Sequence, residues 1–147
     1  MKKIKSIQIK NESDLQELAE KLSKCLKGNE IFLLEGNLSA GKTTFTRYLV
    51  ESLGLSPYEN VTSPTFSIMN EYETKKGTVY HLDFYRVKDF DISDIVGNHI
   101  VLVEWPSEYI EEMDLPVVKI KFEILSDNER FIEIFGKNVN YLEECLK

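Results

Sequence analysis

Gly36-Asn37-Leu38-Ser39-Ala40-Gly41-Lys42-Thr43 is the stretch on which the reading of this chain turns. It fits G-x-x-x-x-G-K-[ST], the phosphate-binding P-loop. Just before it stands Ile31-Phe32-Leu33-Leu34, an apolar run without polar alternation, which suits a strand buried on both faces of a parallel sheet. Just after it, residues 42–53 carry the helical period, with Phe45, Tyr48 and Leu49 toward the sheet and Gly54 as the stop. Strand, glycine loop and helix N-terminus in that order are what phosphate binding requires. Glycines let backbone N–H groups close around the phosphates, and the helix N-terminus adds partial positive charge. Lys42 then reaches the β- and γ-phosphates, and the Thr43 hydroxyl is placed to ligate Mg²⁺. Asn37, Leu38, Ser39, Ala40, Gly41, Lys42, Thr43 and Thr44 are thus the candidate nucleotide-binding residues.

A P-loop site also needs an acid near the metal, usually at the end of a neighbouring strand. Glu104 ends the apolar run Ile100-Val101-Leu102-Val103, and Asp83 ends the mixed run Val79-Tyr80-His81-Leu82. Glu104 is the preferred metal acid, directly or through water. Asp83 is then either a second acid of the metal site or the group that orients the attacking water. Between loop and acids lies Val61-Thr62-Ser63-Pro64-Thr65-Phe66, where Pro64 biases Ser63 toward extended backbone and the Ser63 and Thr65 hydroxyls face either γ-phosphate or metal. That is the place of a switch segment in nucleotide-dependent switches.

Working outward, residues 13–27 read as an amphipathic helix with Leu15, Leu18, Ala19, Leu22, Cys25 and Leu26 on one stripe. Ser13 and Gln16 have capping-box spacing, and Gly28 suits the stop. Residues 4–9 form a weakly alternating strand, residues 66–72 and 79–85 two strands around a polar turn, and residues 118–125 and 130–135 an antiparallel hairpin, before a short helix from 139 to 146. The mixture is an α/β, P-loop NTPase-like domain over residues 1–147: a central parallel sheet flanked by helices, with added antiparallel strands.

The 147 residues are 42% hydrophobic and 29% charged, an ordinary globular balance. The net charge of −7 and only three arginines, Arg47, Arg86 and Arg130, argue against direct stable nucleic-acid binding, which rests on dense phosphate neutralisation. No apolar run is long enough to span a membrane, and the basic N-terminus lacks the apolar core of a signal peptide. Cys25 and Cys145 accordingly read as reduced, structural core thiols of a cytoplasmic protein. Arg47 and Arg86 are read as surface ion-pair residues before phosphate ligands. His81 and His99 lack metal-ligand spacing, and His81 reads as a core or edge histidine.

Four blocks together resemble the TsaE family, small P-loop ATPases of bacterial tRNA threonylcarbamoyladenosine synthesis. They are GNLSAGKTTFTRYL at 36–49, VTSPTFSIMNEY at 61–72, HLDFYR at 81–86 and VEWP at 103–106. The resemblance implies ATP and Mg²⁺ as cofactors, Lys42 as the phosphate lysine, Thr43 with Glu104 at the metal, and Thr65, Asp83 and Glu104 beside Lys42 as catalytic residues. Trp105 matches the tryptophan that follows the second acid in the family; read as a residue, it is a candidate nucleotide-binding group that stacks on the base, with a partner interface or simple core packing as the alternatives. TsaB- and TsaD-like proteins are the implied partners, completing an ATPase that is slow alone. The acidic charge makes a basic partner surface the expectation.

Two departures stand out. Ser39 occupies a position where glycine is usual, so a positive φ there would be strained. The segment from Arg86 to Ile100, with its acidic run Asp89, Asp91 and Asp94, is short, which leaves a surface helix reduced. The alternatives are a small-molecule kinase, disfavoured by so few arginines to clamp a phosphoryl group, and a nucleotide switch in which hydrolysis is incidental.

Overall fold

In the computed structural model, which describes residues 1–87 and 90–147, seven strands form one sheet. Three helices, a 3₁₀ turn and the strands follow in the order β1 (Lys2–Ile9), α1 (Glu12–Cys25), β2 (Ile31–Glu35), α2 (Lys42–Ser52), β3 (Met69–Thr74), β4 (Gly77–Asp83), β5 (Ile100–Glu104), the 3₁₀ turn Glu108–Glu112, β6 (Val117–Ile124), β7 (Arg130–Lys137) and α3 (Tyr141–Cys145). The strand order is β1-β7-β6-β2-β5-β4-β3. β6, β2, β5 and β4 are parallel, whereas β7, β1 and β3 add antiparallel pairings at the two edges. The P-loop NTPase-like architecture read from the sequence is the one adopted.

The unalternating run at 31–34 is explained by burial on both sides. Phe32 and Leu34 join the core under α1, α2 and α3, while Ile31 and Leu33 join a second core on the opposite face. All three helices pack on the first face. The second is covered by residues 90–96 and by Ile110 of the 3₁₀ turn. Residues 93–99 form turns and bends, and Asp89 of the acidic run lies outside the described residues. Among the described residues no helix is long and apolar enough to cross a membrane.

Three local readings are corrected. The cap of α1 is Asn11, whose side chain accepts the Asp14 N–H, and not Ser13, because Ser13 already lies inside the first turn. The strand expected from residue 66 starts only at Met69; Phe66 is 82% exposed in a turn held by Ile68 N–H to Pro64 C=O. The cysteines are not free thiols: Cys25 at the end of α1 and Cys145 at the end of α3 form a disulfide across 120 residues of chain. Apolar spacing could not show this, since α3 meets α1 only through the tertiary fold. The same junction buries Glu30, whose carboxylate accepts the N–H groups of Lys27, Gly28 and Asn29 and the Tyr141 hydroxyl.

Candidate functional site

Strand direction gathers the site. β1, β6, β2, β5 and β4 all point the same way, so their C-terminal ends lie along one edge of the sheet, the usual binding edge of α/β folds. Along that edge runs a cleft of about 640 Å³. It is lined by Leu38 to Thr44 of the loop after β2, by Ser63 and Thr65, and by Asp83, Glu104 and Trp105 at and after the ends of β4 and β5. Asn37 is exposed and does not line the cleft; its carbonyl accepts the Ala40 N–H.

Two glycines shape the loop. A Cβ on Gly36 would sit 2.8 Å from the Phe122 carbonyl oxygen, and Gly41 caps α2 at φ 109° without a side-chain cap. The first amides of α2 are therefore open toward the cleft, with no acidic residue in the first turn to compete for an anion. Ser39 does sit at positive φ, 65°, where its Cβ is strained. Trp105 at φ 54° and the β-branched Ile68 at φ 70° are also outliers beside the site. Each such residue costs about 1–3 kcal/mol and persists where its surroundings over-determine it, as at binding sites.

The polar groups form two chains of hydrogen bonds. In the first, Thr43 Oγ1 donates to Glu104 Oε2 at 3.0 Å, and His81 Nε2 approaches the same oxygen at 2.6 Å. In the second, Ser63 and Thr65 hydroxyls are 2.7 Å apart, and Thr65 Oγ1 donates to Asp83 Oδ2 at 3.2 Å. Asp83 and Glu104 are direct neighbours in the β4–β5 register, so the two chains stand side by side. Lys42, only 4% exposed, donates to the Gly36 carbonyl at 2.7 Å and lies 3.7 Å from the centre of the Trp105 ring. Tyr85 packs edge-on against the same indole. Burial pushes the Lys42 ammonium below the ordinary lysine range, while the carboxylates of Glu104 and Asp83 oppose that shift.

The donor set suits Mg²⁺. A hydroxyl and a carboxylate oxygen are hard ligands, and such a metal is held by one or two protein oxygens plus phosphate. Among the described residues no group of three or more His, Cys, Asp or Glu is placed to hold a metal ion by itself. Arg47 instead bonds Glu12 at 3.1 Å, and Arg86 lies over the Phe66 ring at 4.6 Å; neither lines the cleft.

Sequence reasoning missed one wall of the cleft. Lys10, Asn11, Glu12 and Leu15 come from the β1–α1 junction, and Asp127, Asn128 and Arg130 from the β6–β7 turn. Arg130 bridges that turn to the loop: it donates to the carbonyls of Ser39 and Ala40 at 3.1 and 3.2 Å and to that of Ser126 at 2.8 Å. No local motif marks these residues. The only signal was that Arg130 is one of three arginines, at the mouth of a hairpin predicted to sit beside the parallel sheet.

A phosphate-type loop between β2 and α2, at the C-terminal edge of a parallel sheet whose adjacent strands end in Asp83 and Glu104, defines the class: a P-loop NTPase-like protein. The sequence profile of the family described as threonylcarbamoyl adenosine biosynthesis protein TsaE matches residues 9–132. The chain is 43% identical over 138 residues to the Aquifex aeolicus tRNA threonylcarbamoyladenosine biosynthesis protein TsaE, covering 93% of this chain and 100% of that one. It is 33% identical over 141 residues to the protein of that name from Bacillus subtilis, covering 92% and 87%. The crystal structure of Bacillus subtilis YdiB superposes with a TM-score of 0.74 at 29% identity, covering 97% of this chain and 90% of the other. The chain belongs to the TsaE family.

Proposed function

We propose that this protein binds ATP with Mg²⁺, hydrolyses it, and serves threonylcarbamoyladenosine modification of tRNA together with TsaB- and TsaD-like partners. One observation carries the chemical part: Thr43 at the start of α2 is hydrogen-bonded to Glu104, with Asp83 directly beside it and Lys42 between loop and acids. The pathway part rests on the names of the relatives.

The loop amides and the α2 N-terminus hold the phosphates. Lys42 leaves the Gly36 carbonyl for the β- and γ-oxygens, where its charge offsets the charge that grows on transfer. Thr43 and Glu104 would hold Mg²⁺, which when bound supplies further charge neutralisation at those oxygens. Asp83, braced by Thr65 and by the Tyr85 N–H at 2.8 Å, orients a water in line with the γ-phosphorus. The water oxygen forms the new bond to phosphorus, the bond to the bridging oxygen breaks, and the water proton is accepted on the carboxylate side. The products are ADP and phosphate. Arg47 and Arg86 stand outside the cleft and Arg130 is engaged with carbonyls, which leaves partner proteins to supply any further cation. It also disfavours a small-molecule kinase, which needs several cations around the transferred group.

Turnover with and without the partner proteins, on Lys42→Ala and Glu104→Ala, tests the proposal. A fall of about 10²-fold or more is expected in each, the usual scale for loss of a transition-state charge partner. Normal turnover in both removes the mechanism. The Ser63–Thr65–Asp83 chain also favours a switch reading, in which nucleotide orders this segment for a partner. Full tRNA modification supported by a variant that binds ATP without hydrolysing it would select the switch.

A further inference from the structure

We infer that His81 is a positioning residue that fixes the carboxylate of Glu104 for the metal–phosphate site. The inference rests on the nucleotide reading above and deepens it. His81 lies on β4 opposite Leu102 of β5, two residues before the Asp83–Glu104 pair, so its ring is a diagonal neighbour of Glu104 on the same face. The ring is fully buried, with Nε2 2.6 Å from Glu104 Oε2. An ionised carboxylate can only accept, which assigns the proton to Nε2 as donor.

The other ring nitrogen argues that this is more than packing. His81 Nδ1 is buried and has no hydrogen-bond partner among the described residues. A bare buried polar atom is a destabilising feature that native structures rarely retain. Around the ring stand Tyr72, at 6.5 Å between ring centres, and the apolar face that holds Val79 and Leu102. A phenylalanine would fill such a space without the unpaired nitrogen. What a phenylalanine cannot do is donate to Glu104. The hydrogen bonds to that carboxylate from Thr43 and from His81 both go to Oε2, which sets the plane in which the second oxygen is presented to the cleft. Groups that orient a metal-binding carboxylate in this way typically change metal affinity by about 10–100-fold when removed.

The test is calorimetric binding of a non-hydrolysable ATP analogue, titrated against Mg²⁺ and repeated in excess EDTA, on the full chain. His81→Phe keeps an aromatic ring, a somewhat larger one, and loses the donor. His81→Asn places its amide near the Nδ1 position, out of reach of Glu104. His81→Gln carries an amide nitrogen the same number of bonds from Cα as Nε2 and keeps the donor. The Mg²⁺ concentration giving half-maximal binding should rise at least about tenfold in the Phe and Asn variants and stay within about threefold in Gln. Affinity in EDTA should be the same in all. Should His81→Phe unfold, the Asn–Gln contrast decides alone. An unchanged Mg²⁺ requirement in the folded donor-less variants, or equal losses with and without Mg²⁺, overturns the inference while leaving the nucleotide reading intact. No Mg²⁺ dependence in the unsubstituted protein overturns both.

Discussion

Arg130→Met separates loop support from metal chemistry, because methionine keeps most of the aliphatic stem and removes the guanidinium. That group donates to the carbonyls of Ser39 and Ala40 on the loop and of Ser126, Asp127 and Glu129 on the β6–β7 turn, at 2.8–3.4 Å. The two loop bonds hold Ser39 in its strained positive-φ conformation. Each is worth about 0.5–1.5 kcal/mol net, and solvent competes at this half-buried position, so the loop loses about 1–2 kcal/mol of support. If that support preorganises the phosphate cradle, the nucleotide dissociation constant rises about 5–30-fold. Arg130→Lys, with charge but no fork, should fall between. Calorimetry well below the melting temperature measures it, with circular dichroism confirming that the variant is folded. The Mg²⁺ requirement should not move, because the bonds of Arg130 go to carbonyls and not to Thr43, Asp83 or Glu104. An affinity within twofold of the parent refutes the reasoning, since the loop would then hold its shape without the bridge.

The Cys25–Cys145 disulfide closes a loop of 120 residues, for which chain entropy alone gives about 5 kcal/mol of stabilisation and measured cases typically give about 2–4. Cys145→Ser, or reductant, should lower the melting temperature by about 5–15 °C; two free thiols titrating in denatured, unreduced protein would show that the pair does not form. Tyr141→Phe tests the buried Glu30 junction. Burial and the bond to Glu30 push the Tyr141 hydroxyl upward from its ordinary 10.0, so the unfolded chain loses this proton at a lower pH than the folded chain. The stability from this group is complete below pH 10 and is lost as pH rises above it. Tyr141→Phe should therefore cost about 1–2 kcal/mol near neutrality and show a shallower decline above pH 10 in urea unfolding. Parallel stability curves for parent and variant would contradict the assignment.

Much of the site was legible because its parts are local. The loop at 36–43 needs its glycines and lysine at fixed spacing, and the acids end apolar strands, so Lys42, Thr43, Asp83 and Glu104 could be placed before any contact was known. β3 was misplaced by three residues because Phe66 looks like a strand residue by type, while the strained turn at Ile68 keeps it in solvent. His81 read as an ordinary core histidine, since nothing in HLDFYR says that its ring leans toward a strand some twenty residues later.

The sequence by itself determined the P-loop NTPase-like class, the glycine loop between strand and helix, and the two acids at strand ends, because each depends on residues within one turn or one strand. The tertiary structure alone decided three things. Adding β7 and β1 beside β6 brought the hairpin turn and the β1–α1 junction to the loop, giving the cleft its second wall and Arg130 its contacts with the loop carbonyls. Docking α3 on α1 joined Cys25 to Cys145. Setting β4 beside β5 placed His81 against Glu104. Each depends on which strand or helix lies next to which, and that is settled by burying the two faces of the sheet together rather than by any local pattern.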